Sequence, residues 1–310
     1  MAKQQDIEET YNFIDEIFCL SFGENADLTC AWYNGDFSKN LVQAQEDKHD
    51  FIISAINFKT GSRVLDIGCG LGSILKAVKE RGGHAIGLTL SRKQVEVCRR
   101  SGLEAYLKDW KEVSVATFGS FDGIVSVGAF EHFCSVEDYL AGKQDQIYDH
   151  FFRLCYELLP AGGRLYLQTM MWGKNAPDYS RFSLKAKKGS NEYMLAVGEK
   201  FFPGSWLSFG EEHILRMAKP YFELISDNNG RLDYIETAEQ WHDELWKFSF
   251  PKLFVVARLL LRFLIRKTSA IKLNFFVRTI LKNVSKRSNR SSEDGVPEKI
   301  VFVLLESSGW

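Results

Sequence analysis

No two cysteines in this sequence form a CxxC pair, and the six present (Cys19, Cys30, Cys69, Cys98, Cys134 and Cys155) follow no regular spacing. That excludes a zinc site or a disulfide framework as the organising device and leaves free thiols, most of them buried. An uninterrupted apolar run of the roughly twenty residues that a membrane-spanning helix needs is also missing. The longest run, Leu253 to Ile265, is broken by Arg258 and Arg262. The first ten residues are polar and acidic, without the apolar stretch of a secretory signal, so the expected compartment is the cytoplasm. Acidic residues are absent from 258 to 290, where ten Lys or Arg stand, so the near-zero formal charge of −1 hides a basic segment on an otherwise acidic chain.

What is present suits one large core, or a core with a smaller lid: 310 residues, 45% of them hydrophobic. Residues 7–22 and 41–57 carry apolar positions every three or four residues and read as helices of an N-terminal element. From Arg63 the pattern becomes strand, loop, helix. Arg63-Val-Leu-Asp-Ile is a short apolar run, a glycine loop follows, and Ser73 to Arg81 resumes helical spacing. A second strand from His84, a helix over 92–101 capped by Ser91, a buried strand over 121–127, a helix over 144–159 and a strand over 163–169 continue the alternation. Phe222 to Asp227 and Lys299 to Glu306 read as closing strands. This predicts an α/β, Rossmann-like fold with a doubly wound, mostly parallel sheet. The expected division is a helical cap (1–60), a core (61–172), a lid or substrate-channel insertion (173–220) whose residues 173–204 show no clear period, and a C-terminal part (221–310) holding a basic amphipathic segment over 253–290.

Val64-Leu-Asp-Ile-Gly-Cys-Gly-Leu-Gly places Gly68, Gly70 and Gly72 between a strand and a helix. Without side chains the backbone turns sharply and approaches a ligand, and the helix start offers free N–H groups. A dinucleotide fingerprint needs a further glycine at position 73, where Ser73 stands, so a cofactor without phosphate is favoured over one with pyrophosphate. S-adenosylmethionine (SAM) is such a molecule. Its site needs backbone donors, a carboxylate such as Asp66 near the loop, and an apolar adenine slot. Further along, Glu131-His132 follows an apolar strand at its C-terminal end, where open α/β sheets place ligands. A carboxylate there can position a base or stabilise positive charge in a substrate; the residue type alone also fits a hydrogen-bonded structural pair.

Taken together, Val64 to Gly72, Gly87-Leu-Thr-Leu-Ser91 and Val125-Ser-Val-Gly-Ala-Phe-Glu-His-Phe133 resemble the cyclopropane fatty acid synthase and mycolic acid methyltransferase family. Thr29-Cys-Ala-Trp-Tyr, Leu41 to Lys48 and Phe201 to Leu207 are similar to further segments of that family. The likeness runs from about residue 27 to 245 and is strongest up to Met170. It implies a seven-stranded SAM methyltransferase fold in which Gly68, Gly70 and Gly72 border the methionine part of SAM. Thr89, Leu90 and Gln94 would line the ribose and adenine side, and Trp110 would flank the adenine, although as an isolated residue it also reads as a core aromatic.

The resemblance implies an electrophilic reaction, in which a cis alkene attacks the sulfonium methyl and the resulting cation loses a proton. The implied proton acceptor is bicarbonate, held by the backbone of a cysteine, a glutamate, a histidine and a tyrosine. Cys30, Glu131 and Tyr234 match three of those positions. The fourth is Gln168, which donates a hydrogen bond but carries no charge and shuttles no proton, so bicarbonate is disfavoured. Tyr234 reads equally as helix packing.

Arg258, Arg262 and Arg266 recur every four residues beside Leu, Phe, Val and Ile, a cationic stripe next to a broad apolar face. This suits an anionic bilayer surface at the inner membrane face, and equally a core-packed helix with a solvated edge. No recognition motif points to nucleic acid, and the oligomeric state stays open. The expected activity is transfer of a methyl or methylene carbon to an unsaturated acyl chain, with methylation of a smaller natural product and a non-catalytic SAM- or membrane-binding protein as the rivals.

Overall fold

The computed structural model describes residues 15, 18, 19, 21–23, 26–173, 178–201, 205–247 and 299–307. The basic segment over 253–290 and residues 202–204 of the Phe201 to Leu207 segment lie outside them. Helix α1 (Leu41–Ala55) starts where Asn40 accepts the Gln43 N–H and the Gln43 side chain accepts the Asn40 N–H, a reciprocal cap that fixes the first turn. Strands β1 (Arg63–Ile67), β2 (His84–Thr89), β3 (Glu104–Leu107), β4 (Gly123–Val127) and β5 (Arg164–Trp172) are parallel. Both faces of β1 and β4 are covered, which explains why they read as continuous apolar runs rather than alternating ones. Helices α2 (Ser73–Glu80) and α3 (Arg92–Arg100) return the chain between β1, β2 and β3. Helices α4 (Val115–Phe118), α5 (Val136–Leu140) and α6 (Gln144–Leu158) follow.

The remaining elements are α7 (Asn191–Phe201), β6 (Ser208–Phe209), α8 (Gly210–Ala218), β7 (Phe222–Asn229), α9 (Arg231–Trp246) and β8 (Lys299–Ser307). The sheet runs β3-β2-β1-β4-β5-β8-β7, with β8 antiparallel to both neighbours and the two-residue β6 beside the end of β5. The path therefore holds seven strands, and β6 is an eighth. The strand order reverses between β1 and β4, so the crevice at their carboxyl ends is where such a sheet accepts a ligand. Among the described residues no helix is long and apolar enough to cross a membrane.

The segment over 173–204 differs from expectation, since it contains a regular helix. Tyr193, Leu195, Ala196 and Val197 of α7 are buried, but this apolar patch is short and flanked by Lys, Gly and Ser, so it leaves no clear period in the sequence.

Candidate active site

The three loop glycines all adopt left-handed backbone, with φ of 89° at Gly68, 52° at Gly70 and 86° at Gly72. That conformation is open to glycine at little cost. At Gly68 the closeness of the neighbouring loop matters as well, because a Cβ there would lie 2.2 Å from the Cβ of Ala129, just after β4. Gly68→Ala is therefore expected to cost about 1–3 kcal/mol by overpacking, and more through the forced φ. Chemical unfolding and calorimetric titration with SAM should show stability and affinity falling together; unchanged values would mean that the two loops part freely.

Asp66 is the penultimate residue of β1, two residues before Gly68, and is buried. Burial pushes its carboxyl up to about 7, the nearby Asp27 adds to the rise and Lys48 opposes it. The Asp66 carboxyl accepts no hydrogen bond among the described residues. Helix α2 begins beside it with no side-chain cap on Gly72. A buried carboxyl in want of a donor, next to uncapped helix N–H groups, suits a ligand with an ammonium and a carboxylate. Those are the two groups of the methionine part of SAM.

At the end of β2 the Thr89 hydroxyl donates to Gln94 Oε1 at 2.5 Å and accepts from the Ser91 N–H at 3.1 Å. Ser91 caps α3 by accepting the Gln94 N–H. Leu90 between them is half-buried. Trp110 opens a short turn after β3 and is buried against Phe133 and Phe151, with ring centroids at 5.2 and 5.5 Å. The core-aromatic role is thus fully occupied, at a position facing the same end of the sheet.

The second half of the site is built on β4 and β5. Phe130, the first residue of the turn Phe130–His132, is buried against Tyr148, Phe151 and Phe152. With Phe130 anchored in the core, Glu131 lies over β5, where its Oε1 accepts the Met170 N–H at 2.9 Å. The other oxygen, Oε2, is buried without a partner. Burial raises the Glu131 carboxyl to about 7, against the opposing hydrogen bond from Met170. His132 points elsewhere, its Nδ1 lying 2.6 Å from Ser205 Oγ, and burial lowers its pKa to about 4, so it is neutral at physiological pH.

Gln168 donates from Nε2 to the Cys30 carbonyl at 3.2 Å, and its Oε1 accepts from the Tyr166 hydroxyl at 3.4 Å. Cys30 is buried, and its thiol is pushed well up by burial and by the Asp233 carboxylate, so it is not a nucleophile. Tyr234, in the first turn of α9, shares an apolar cluster with Cys30, Tyr166 and Met170. Burial, with smaller contributions from Cys30 and Glu131, pushes its hydroxyl up, so it stays a neutral donor. The structure thus gathers Cys30, Gln168, Glu131 and Tyr234 at the carboxyl end of β4 and the adjoining middle of β5, one strand from the glycine loop.

Two groups escaped the sequence reading. Asp233 accepts from the N–H groups of Tyr33 and Asn34, and Thr237 accepts from the Ala31 N–H, so α9 pins the chain around Cys30. Asp27 Oδ2 meets Lys48 Nζ at 2.7 Å, His49 Nε2 at 2.9 Å and Ser73 Oγ at 3.1 Å. Lys48 also donates to Thr29 Oγ1. The one available signal was a lysine on the buried stripe Ala44, Lys48, Ile52 of α1. Among the described residues, no group of three His, Cys, Asp or Glu is arranged to hold a metal ion.

The sequence model of the family described as mycolic acid cyclopropane synthetase matches residues 1–249. Hydroxymycolate synthase MmaA4 of Mycobacterium tuberculosis is 29% identical over 255 residues, 78% of each chain. The S-adenosylmethionine-dependent methyltransferase UmaA of the same organism is 30% identical over 224 residues, 69% of this chain and 72% of UmaA. Among solved structures, mycolic acid cyclopropane synthase CmaA1 complexed with SAH and CTAB superposes with a TM-score of 0.72 at 20% identity, covering 99% of this chain and 98% of that one. Coclaurine N-methyltransferase bound to N-methylheliamine and SAH gives 0.69 at 18% identity, covering 95% and 78%.

Proposed function

The chain belongs to the mycolic acid cyclopropane synthetase family and is a SAM-dependent methyltransferase, and from that premise we propose that it acts on the double bond of an unsaturated acyl chain, carried by a phospholipid. The observation that supports this best is the unpartnered, buried oxygen of Glu131. A carbocation formed from an alkene needs a nearby proton acceptor and a site closed to water. Relatives named as a hydroxymycolate synthase and as cyclopropane mycolic acid synthases agree with such an acceptor.

When bound, SAM supplies an electrophilic methyl carbon. Asp66 would accept from its ammonium, and Gly68, Gly70 and Gly72 would border its methionine part. Thr89, Leu90 and Gln94 would line the nucleoside, and Trp110 would flank the adenine. Across the crevice, Glu131 Oε2 takes the proton that the substrate cation loses. Its other oxygen stays on the Met170 N–H, which fixes the direction of the free lone pair. Gln168 holds the Cys30 carbonyl in place, and Tyr234 closes the wall with a neutral hydroxyl. Bicarbonate does not suit this set, because Gln168 spends an N–H on Cys30 and no cationic side chain hydrogen-bonds to Cys30, Gln168 or Glu131 among the described residues.

The test is incubation with methyl-labelled SAM and unsaturated phospholipid, followed by lipid extraction. Label is expected in the acyl chains; label found only in water-soluble amines or phenols would favour a small natural-product acceptor. The cations over 258–290 extend the proposal to attachment at an anionic membrane surface, where each near-surface charge contributes about 1 kcal/mol. Co-sedimentation with anionic vesicles should be lost on deleting 258–290, and equal sedimentation of both forms would remove this part.

A further inference from the structure

Nucleoside-binding α/β sheets commonly place a carboxylate at the end of the second strand, where it accepts from the ribose hydroxyls. Here β2 ends at Thr89, followed by Leu90, and neither is a carboxylate. The structure nonetheless brings a carboxylate to that position. Asp15, a helical residue of the N-terminal element, is fully buried and accepts from Gln94 Nε2 at 3.0 Å through Oδ2. Gln94 is in turn fixed from the other side by the Thr89 hydroxyl. A relay of three side chains therefore connects the end of β2 to a carboxylate 79 residues upstream of Gln94.

The second oxygen of that carboxylate, Oδ1, is buried and has no partner. An acid that served only to anchor the N-terminal element would be expected to satisfy both oxygens, since an unpaired buried acceptor costs about 1–3 kcal/mol. The relay also defines what is missing. Gln94 has its carbonyl occupied and one N–H spent, leaving one N–H to donate, while Asp15 Oδ1 is left to accept. One donor beside one acceptor matches a vicinal diol, in which each hydroxyl both donates and accepts.

We infer that Asp15 is the ribose-diol acceptor of the SAM site, supplied by the N-terminal element in place of the absent β2 acid. The inference rests on the reading of the glycine loop as a SAM site, and it makes the N-terminal element part of the nucleoside site rather than a cover over it. Burial holds the Asp15 carboxyl at about 6, with the Gln94 bond opposing the rise, so the group is mostly ionised at neutral pH and its Oδ1 is able to accept a hydroxyl hydrogen bond.

The test is calorimetric titration of the full chain and of Asp15→Ala and Asp15→Asn with S-adenosylhomocysteine and with its 2′-deoxy and 3′-deoxy analogues. Removing a hydrogen bond to a charged group should weaken S-adenosylhomocysteine binding to Asp15→Ala by about 10–100-fold. That loss should shrink to near unity on at least one deoxy analogue, because the interaction is then already gone. An equal loss on all three ligands would overturn the inference and make Asp15 a structural anchor. Should Asp15→Ala not fold, Asp15→Asn keeps the side-chain volume and carries the same comparison. Failure of the unaltered chain to bind S-adenosylhomocysteine would instead overturn the SAM-site reading beneath it.

Discussion

Glu131→Gln is expected to lower kcat by about 10²–10⁴-fold, the usual worth of a positioned general base, while leaving SAM binding nearly unchanged. The glutamine keeps an oxygen for the Met170 N–H and the volume of the side chain, so the fold has little reason to respond. What disappears is the lone pair that receives the proton. The pH profile separates this from a packing defect. Burial holds the Glu131 carboxyl at about 7, so the carboxylate forms as pH rises through neutrality, and kcat of the unaltered enzyme should climb over that range. The variant should be slow at every pH and lack that limb. A variant with full kcat, or with the limb intact, would show that another group takes the proton.

Lys48→Met is expected to cost about 3–5 kcal/mol, the penalty for leaving the other member of a buried ion pair uncompensated. Lys48 has no exposed surface, and the Asp27 side chain is nearly as enclosed. Burial works against ionisation of Asp27, but Lys48 and His49 outweigh it and hold its carboxyl well below the usual carboxylate range. A depressed carboxyl contributes stability above its unfolded pKa, near 3.8, and loses that contribution as pH falls toward the folded value. Urea unfolding at neutral pH should therefore show the deficit, and it should narrow on acidification. In the double variant Lys48→Met, Asp27→Asn much of the stability should return, because no buried charge is then stranded. A single variant as stable as the parent would mean that water reaches Asp27.

How much of this was legible beforehand depends on the range of the interaction. Strands β1 and β4 are covered on both faces, so their apolar runs were visible as runs, and α1 showed in the apolar spacing over 41–57. The glycine loop was equally plain, because each left-handed residue demands the same amino acid. Gln168 could be noticed as an unexpected residue, but its bond to the Cys30 carbonyl spans 138 positions, and no local pattern encodes it. Asp15, a polar position on the periodic helical stretch 7–22, and Asp27, beside Glu24 in a stretch without clear period, both had a solvated role as the ordinary expectation. Their burial arises from tertiary packing, which brings Gln94, Lys48 and Ser73 to them. Helix α7 was hidden for a different reason, since its buried face is too short to set a period.

Strand β8 follows every other described element in sequence, yet it lies inside the sheet, paired with β5 from Arg164 to Met171 on one side and with β7 on the other. On the ribosome, a growing chain shorter than about 299 residues has already made the glycine loop, Glu131 and Gln168 but leaves β5 as an open edge. The strand bearing Gln168 and Met170 is thus the last to gain its neighbour. Nascent chains halted before and after β8 emerges should differ sharply in protease resistance, and the catalytic half of the sheet should mature only once β8 has been released to pair with β5.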